Sequence, residues 1–174
     1  MPSPTSGVTA PTSTEASTSP SQMQVLPGMS AAADQAGDII YQVPEGWDDR
    51  GASGIRKAHL QVSDANGSAE LTVTVFPGDV GGILANINRW RGQIQLDPIT
   101  QEQIGTVAKP YQIFHHNALY VTLDGGVDSI LAAILPFHGN TWFLKLQGSS
   151  ATVFGQEAQF ESFLQSFEMV GHAH

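Results

Sequence analysis

The sequence predicts an α+β domain, built as a three-layer α/β/α sandwich with a largely antiparallel sheet of about six strands covered by helices. Several segments alternate between apolar and polar residues and are separated by short turn signals. Short turns of this kind connect antiparallel neighbours. Two amphipathic helical segments, one in the middle and one at the end of the chain, can cover the two faces of such a sheet.

The chain divides by composition into a tether and one domain. Residues 1–30 are rich in Ser, Thr, Pro and Ala, and Glu15 is their single charge. A segment of this kind cannot bury enough apolar surface to fold, so it is predicted to be a disordered tether. Residues 38–170 are predicted to form a single domain, a length that supports a full hydrophobic core.

The composition of the tether is similar to that of segments that follow the lipid-bearing cysteine of bacterial lipoproteins. We therefore expect an exported protein of the periplasm or cell envelope, whose export signal is absent from this chain. The low share of charged residues, 13%, agrees with export. The alternative is a disordered tail on a cytosolic protein.

Charge and cysteine content narrow the functions further. Acidic residues outnumber basic ones by 16 to 7, for a net charge of −9, which disfavours nucleic acids and anionic membrane surfaces. The chain has no cysteine, so disulfides and thiolate metal sites are excluded. No apolar run reaches the roughly 18 residues of a membrane-spanning helix. We therefore expect the protein to be attached to a membrane only through an N-terminal anchor.

The first elements are a strand and a hairpin. Residues 38–47 read as a strand that stops at Pro44, after which Trp47 packs on the core. Residues 55–63 and 69–76 alternate in polarity and flank an Asp-Ala-Asn-Gly turn signal, which predicts an antiparallel hairpin.

A helix follows the Pro-Gly turn at the end of the hairpin. Its apolar residues are spaced to form one narrow stripe facing the sheet, and Asp79 is the predicted N-cap. The stripe consists of Ile83, Ile87, Trp90 and Ile94, with Leu84 at its edge.

The second half of the chain predicts a short helix, three strands and a final helix. Thr100 and Gln103 have the spacing of a capping box for a helix over residues 100–107, and residues 109–114 are expected to be extended. The strands are predicted at residues 119–123, 129–137 and 141–147, and the last amphipathic helix at residues 156–169.

Strand alternation also assigns individual residues to faces of the sheet. Trp142 and Lys145 should point to opposite faces, with Trp142 in the core and Lys145 paired with an acid.

The helix after the hairpin carries the candidate binding residues. In a chain with few charges it concentrates planar polar side chains: Asn86, Asn88, Arg89, Arg91 and Gln93. On one interpretation Arg89, Asn86 and Gln93 share the outer flank and recognise an anionic or amide-bearing ligand. On the other, Arg91 and the two asparagines fasten the helix to neighbouring loops, with Arg91 held by a carboxylate or carbonyls.

Motifs of catalysis and metal binding are not found in the sequence. It has no Gly-x-Ser-x-Gly elbow and no His-Glu-x-x-His zinc motif. His115 and His116 are adjacent and, in an extended segment, would point to opposite faces, while His172 and His174 lie in a tail expected to fray. No metal and no cofactor are therefore predicted.

Several of these features together resemble the Mog1/PsbP-like fold, over about residues 38–170. Tyr41-Gln-Val-Pro-Glu-Gly-Trp47 is similar to the first strand and turn of that fold, and residues 160–167 to its last helix. The run Gly81-Gly-x-x-Ala-Asn-x-Asn-Arg-Trp-Arg-x-Gln93 is similar to a motif of an uncharacterised family of exported bacterial proteins. Members of the wider fold serve as accessory subunits of the photosynthetic oxygen-evolving complex or bind a small GTPase, and the resemblance implies a non-enzymatic accessory role.

The function expected from the sequence is a non-catalytic, envelope-tethered domain that binds an unknown protein partner or small ligand. Two alternatives stay open. One is a hydrolytic or other enzyme with an arginine-assisted site, which would need a histidine or carboxylate converging on Arg89 or Arg91. The other is a purely structural accessory domain.

Overall fold

A seven-stranded antiparallel sheet forms the centre of the molecule. The computed structural model describes residues 38–79 and 81–170, so the predicted tether and the histidines of the C-terminal tail lie outside the described residues. In chain order the strands are β1 (Asp38–Ile40), β2 (Asp48–Asp49), β3 (Arg56–Asp64), β4 (Gly67–Pro77), β5 (Ala108–Ile113), β6 (His116–Asp124), β7 (Asp128–Phe137), β8 (Asn140–Ser149) and β9 (Glu168–Val170). The order in the main sheet is β2-β3-β4-β8-β7-β6-β5, and β1 pairs with β9 in a separate two-stranded sheet.

Helices cover both faces of the main sheet. They are α1 (Ile83–Gln93), α2 (Ser150–Gly155) and α3 (Glu157–Ser166), with a 3₁₀ helix at Gln101–Thr106. On one face Trp90 of α1 meets Phe143 of β8 edge to face, with ring centroids 5.3 Å apart. On the other face Trp142 packs against Phe167, which follows α3, at 5.8 Å. The predicted three-layer α/β/α arrangement is therefore confirmed.

The register of the central strands decides which side chains meet α1. Phe143 and Lys145 of β8 lie on the face of α1, while Trp142 lies on the opposite face and is fully buried. This confirms the predicted alternation of Trp142 and Lys145. Strand β7 is buried from Ser129 to Leu135 because helices or loops cover it on both sides, as its continuous apolar sequence predicts.

Several boundaries differ from the prediction. The first strand is shorter, ending at Ile40. The predicted helix over 156–169 is α3, which ends at Ser166, and the chain becomes extended at Phe167 before β9. A separate helix, α2, precedes it from Ser150 to Gly155. The Gly-Ser-Ser sequence is a local signal for a turn at the end of a hairpin. The chain forms a helix there instead, so tertiary contacts outweigh this signal.

A polar chain joins the β3–β4 turn to the helices at the other end of the sequence. Thr152 Oγ1 donates to Asp64 Oδ1 at 2.8 Å, and Gln156 Nε2 donates to Asp64 Oδ2 at 3.4 Å. Trp47 Nε1 in turn donates to Gln156 Oε1 at 2.9 Å, so Trp47 is buried as predicted. The turn, the start of α2 and the segment after β1 are thereby held together.

Candidate functional site

Helix α1 lies on the sheet through its second and third turns. Ile87 and Trp90 are buried, whereas Ile83 is 42% exposed, so the prediction that Ile83 belongs to the buried stripe is wrong. The reason is that the first turn of α1 stands away from the sheet. The N-cap is Gly82, with φ 98°, while Asp79 forms a turn in which its backbone carbonyl accepts from Gly82 N–H at 2.9 Å. The prediction of Asp79 as the N-cap is therefore also wrong.

A cavity of about 390 Å³ lies where the first turn of α1 stands away from the sheet. Most of its lining is apolar and comes from α1 and from strands β6, β7 and β8. We call it the helix–sheet cavity; its lining residues are Asp79, Gly82, Ile83, Asn86, Asn117, Ala118, Leu119, Ile134, Pro136, Thr141 and Phe143. Its volume falls in the range of small-molecule sites in proteins, roughly 300–1,000 Å³.

The polar groups along this cavity also hold the backbone around it. Asn86 is 1% exposed, and its Nδ2 donates to the carbonyl of Gly82 at 2.6 Å. Thr141 Oγ1 donates to the carbonyl of Gly78 at 2.6 Å. These bonds fix the turn before α1 and leave the apolar surface of the cavity as its main recognition feature.

Aromatic and imidazole rings stand at the same end of the sheet. His116 meets Phe137 at a ring distance of 4.7 Å, and His138 stacks on Phe137 at 4.0 Å. Phe114 is 41% exposed beside them. None of these four residues lines the helix–sheet cavity. His116 and Phe137 alternate with the lining residues Asn117 and Pro136 along β6 and β7, so they point to the opposite face of the sheet.

The sequence analysis considered the two adjacent histidines in one extended segment. In the structure they do not share such a segment. Phe114 and His115 have φ values of 49° and 68° and form the turn between β5 and β6, while His116 begins β6. Short-range propensity did not indicate a turn at this position. Within the described ranges, no three histidine or carboxylate side chains are grouped so that they could hold a metal ion.

Two of the five predicted binding residues hold the loop after α1. Asn88 Nδ2 donates to the carbonyl of Ile99 at 3.0 Å, and Asn88 Oδ1 accepts from Ile99 N–H at 2.8 Å. Arg91 Nε donates to the carbonyl of Asp97 at 2.6 Å. These are contacts of the kind expected for side chains that fasten the helix to neighbouring loops. A binding role for either residue stays a prediction.

The other three predicted residues do not share an outer flank. Asn86 is buried, contrary to the prediction, because the helix turns it toward the sheet. A guanidinium nitrogen of Arg89 donates to Asn86 Oδ1, and the half-buried position of Arg89 lowers its pKa from the usual value. Gln93 Oε1 accepts from Lys145 Nζ at 3.1 Å. Asn86, Arg89 and Gln93 thus lie along the junction between helix and sheet, and their role in binding remains untested.

Lys145 of β8 sits beneath the end of α1. Its Nζ lies 5.5 Å from the centre of the Trp90 ring and bonds to Gln93 rather than to an acid, so the predicted acidic partner is wrong. Burial, together with the charges of Arg89 and Arg56, lowers the pKa of Lys145 to about 8.

The sequence analysis missed most of the cavity lining. Asn117, Leu119, Ile134 and Thr141 come from three consecutive strands, β6, β7 and β8, which meet α1 only in the folded protein. Alternation along each strand could assign these side chains to a face of the sheet. The gap between the first turn of α1 and the sheet, however, leaves no pattern in the sequence.

Comparison with known proteins gives a likeness in fold. No family model and no curated protein sequence matches the chain. Among solved structures, LpqN of Mycobacterium tuberculosis, described as involved in cell envelope biogenesis, is similar with 11% identity and a TM-score of 0.48, covering 76% of this chain and 83% of its own. The cyanobacterial PsbP of Synechocystis is similar with 12% identity and a TM-score of 0.44, covering 77% and 94%.

One of these two structures is a PsbP protein, and the sequence analysis had noted a resemblance to the Mog1/PsbP-like fold. The likeness concerns the fold and gives no role to any residue of this chain. The resemblance of the Gly81–Gln93 run to a motif of uncharacterised exported proteins stays a prediction.

Among the described residues, no helix is long and apolar enough to cross a bilayer.

Proposed function

We propose that this protein is a non-catalytic binding domain that takes a small, mostly apolar molecule into the helix–sheet cavity. The observation that carries the proposal is the cavity itself, with a volume of about 390 Å³ and an apolar lining between α1 and the sheet. Burying an apolar molecule there removes its surface and that of the lining from water, which favours binding.

The polar groups around the cavity suit binding better than catalysis. Asn86 and Thr141 donate to the backbone carbonyls of Gly82 and Gly78, so their bonds hold the shape of the site. Arg89, the centre of the enzyme alternative, bonds to the amide oxygen of Asn86. An accessory domain that presents or carries a ligand fits this arrangement.

We place this binding function in the bacterial envelope, with residues 1–30 as the tether. The support is the Ser-, Thr- and Pro-rich composition of that segment, similar to lipoprotein tethers. Lipid attachment and export are parts of the proposal and are tested by cell fractionation of the protein expressed from its natural gene.

Blocking the mouth of the cavity tests the binding proposal. The neutral fluorophore N-phenyl-1-naphthylamine is the probe, because it is apolar and brightens when it leaves water. Wild-type protein should give a saturable signal with one site per chain. Ile83→Trp fills the opening beside the first turn of α1 and should weaken binding by about tenfold or more, the loss of roughly 1.4 kcal/mol of contact.

Val127→Trp is the matched control, since Val127 is 82% exposed and does not line the cavity. Thermal unfolding of both variants checks that the fold is kept. Equal binding by Ile83→Trp and Val127→Trp, or an unsaturable signal in the wild type, would show that the cavity is not the binding site.

A further inference from the structure

Three of the seven basic residues of the chain meet on the sheet face beside α1. We call Arg56, Arg89 and Lys145 the cationic cluster. Arg89 comes from the middle of α1, Lys145 from the centre of β8, and Arg56 from the start of β3. Lys145 Nζ donates to Gln93 Oε1 at 3.1 Å, one helical turn after Arg89, and Arg56 pairs with Thr74 on the same face of the sheet. In agreement, the charges of Arg89 and Arg56 lower the pKa of Lys145 after the larger effect of burial.

Strand register places hydroxyl groups between these cations. Thr72 of β4 lies directly opposite Lys145, and Thr74 lies between Phe143 on one side and Arg56 on the other. Cross-strand partners share a face of the sheet, so both threonines stand on the face of α1, and both are half-buried. Each hydroxyl can donate one hydrogen bond.

The charges of the cluster are not balanced by acids. Within the described residues, no carboxylate pairs with Arg56, Arg89 or Lys145. The nearest acid by register is Glu70, which lies two residues before Thr72 on the same face of the sheet and whose carboxylate contacts His59 Nε2 at 2.6 Å. Such an excess of like charge at a half-buried place is unfavourable unless an anion joins it.

We propose that the cationic cluster is a binding site for a phosphate or sulfate group. A tetrahedral oxyanion offers several acceptor oxygens in different directions, which suits donors from a helix and two strands better than a single carboxylate does. The cluster borders the helix–sheet cavity, since Arg89 bonds to the cavity residue Asn86, but its cations and hydroxyl groups would hold an oxyanion without an apolar ligand.

The site should depend on pH through Lys145. The groups that face its ammonium are Arg89 and Gln93 from α1, Arg56 and His59 from β3, and Glu70 from β4. Only the protonated lysine attracts an anion, so affinity should fall as the pH rises through about 8. By linkage, bound phosphate should raise the pKa of Lys145.

The chain offers a direct way to observe this, because Lys145 is one of three lysines, with Lys57 and Lys109. The full chain with ¹³C-labelled lysine is titrated with inorganic phosphate at constant ionic strength and followed by NMR. The Lys145 signal should shift saturably and its pKa should rise, while the signals of Lys57 and Lys109 stay in place. Glycerol 3-phosphate in a second titration distinguishes a free from an esterified phosphate group, and saturation by either supports the site.

Variants that keep Lys145 as the reporter locate the other cations. Arg89→Gln and Arg56→Gln should each weaken phosphate binding by about tenfold, the effect of one lost charged hydrogen bond. The ammonium of Lys109 lies 5.4 Å from the Tyr120 ring centre. Lys109→Gln should therefore bind phosphate as the wild type does. A shift of Lys145 that does not saturate, a pKa indifferent to phosphate, or equal binding by all three variants would overturn the proposal.

Discussion

At the scale of single residues, Lys145 is a cation held in an environment far from that of water. Its pKa falls from the ordinary 10.5 to about 8, first because it is buried and then because of Arg89 and Arg56. The folded state therefore holds this proton less tightly than the unfolded chain. Below pH 8 both states are protonated and the unfavourable effect is complete. Between pH 8 and 10.5 only the unfolded chain keeps the proton, so this residue opposes folding less as the pH rises.

Replacing Lys145 by methionine should accordingly raise the free energy of unfolding at pH 7, by roughly 1–3 kcal/mol in phosphate-free buffer. The hydrogen bond to Gln93 is lost, but the buried charge is lost with it. Urea unfolding of both proteins at pH 7 and pH 10 measures the effect. The difference should shrink at pH 10, and a variant that is less stable at pH 7 would contradict this account.

Individual residues also show where sequence reasoning ends. The spacing of Ile87 and Trp90 correctly predicts the buried face of α1, because helix periodicity is local. The burial of Asn86 and the exposure of Ile83 were not predictable in this way. They depend on how far the first turn of α1 stands from β6, β7 and β8, which the sequence of the helix does not contain.

At the scale of elements, β8 depends on a close approach to its neighbour β4. A Cβ added at Gly148 would lie 2.3 Å from the carbonyl oxygen of Ser68 and 2.5 Å from Cα of Ala69. Both are backbone atoms of the paired strand and cannot turn aside. Gly148→Ala should therefore destabilise the fold by roughly 1–3 kcal/mol, through strain between two central strands.

Gly155 at the end of α2 provides the matched comparison. Nothing lies within 4 Å of a Cβ at that position, so Gly155→Ala should be neutral or stabilise by roughly 0.4–1 kcal/mol. Thermal unfolding of the two single variants should show opposite signs. A Gly148→Ala protein as stable as Gly155→Ala would mean that β4 and β8 can separate at little cost.

At the scale of the whole molecule, the layers were predictable and the connections between distant segments were not. Two features could be predicted from neighbours in sequence, and both are found. They are the alternation in residues 141–147 and the capping pair of Thr100 and Gln103. The β1–β9 pair joins the two ends of the described chain, and β2 has two residues, so neither carries a pattern that a sequence can show. The helix–sheet cavity likewise depends on how α1 lies over β6, β7 and β8, which come later in the chain.

The hydrogen-bonded chain from Asp64 to Trp47 connects distant segments of the molecule. Its contribution to stability should depend on pH, because it includes the carboxylate of Asp64. Hydrogen bonds, first from Thr152 and then from Asn66 N–H, lower the pKa of Asp64 below its ordinary 3.8. For a carboxyl group with a depressed pKa, the added stability is present above the unfolded value and is lost as the pH falls through the folded one. Asp64→Asn should thus lower the Tm at pH 6, and this deficit should shrink as the pH falls below 3.8 toward the folded pKa.

Asp97→Asn serves as the control, because Asp97 is exposed and takes part in the fold through its backbone carbonyl. Its Tm should follow that of the wild type at each pH from 6 to 3. If Asp64→Asn also follows the wild type, the β3–β4 turn is not held to α2 through this carboxylate. If instead its deficit persists unchanged at pH 3, the loss comes from altered packing of the turn, because a contribution from the depressed pKa must shrink once the pH is below the unfolded value of 3.8.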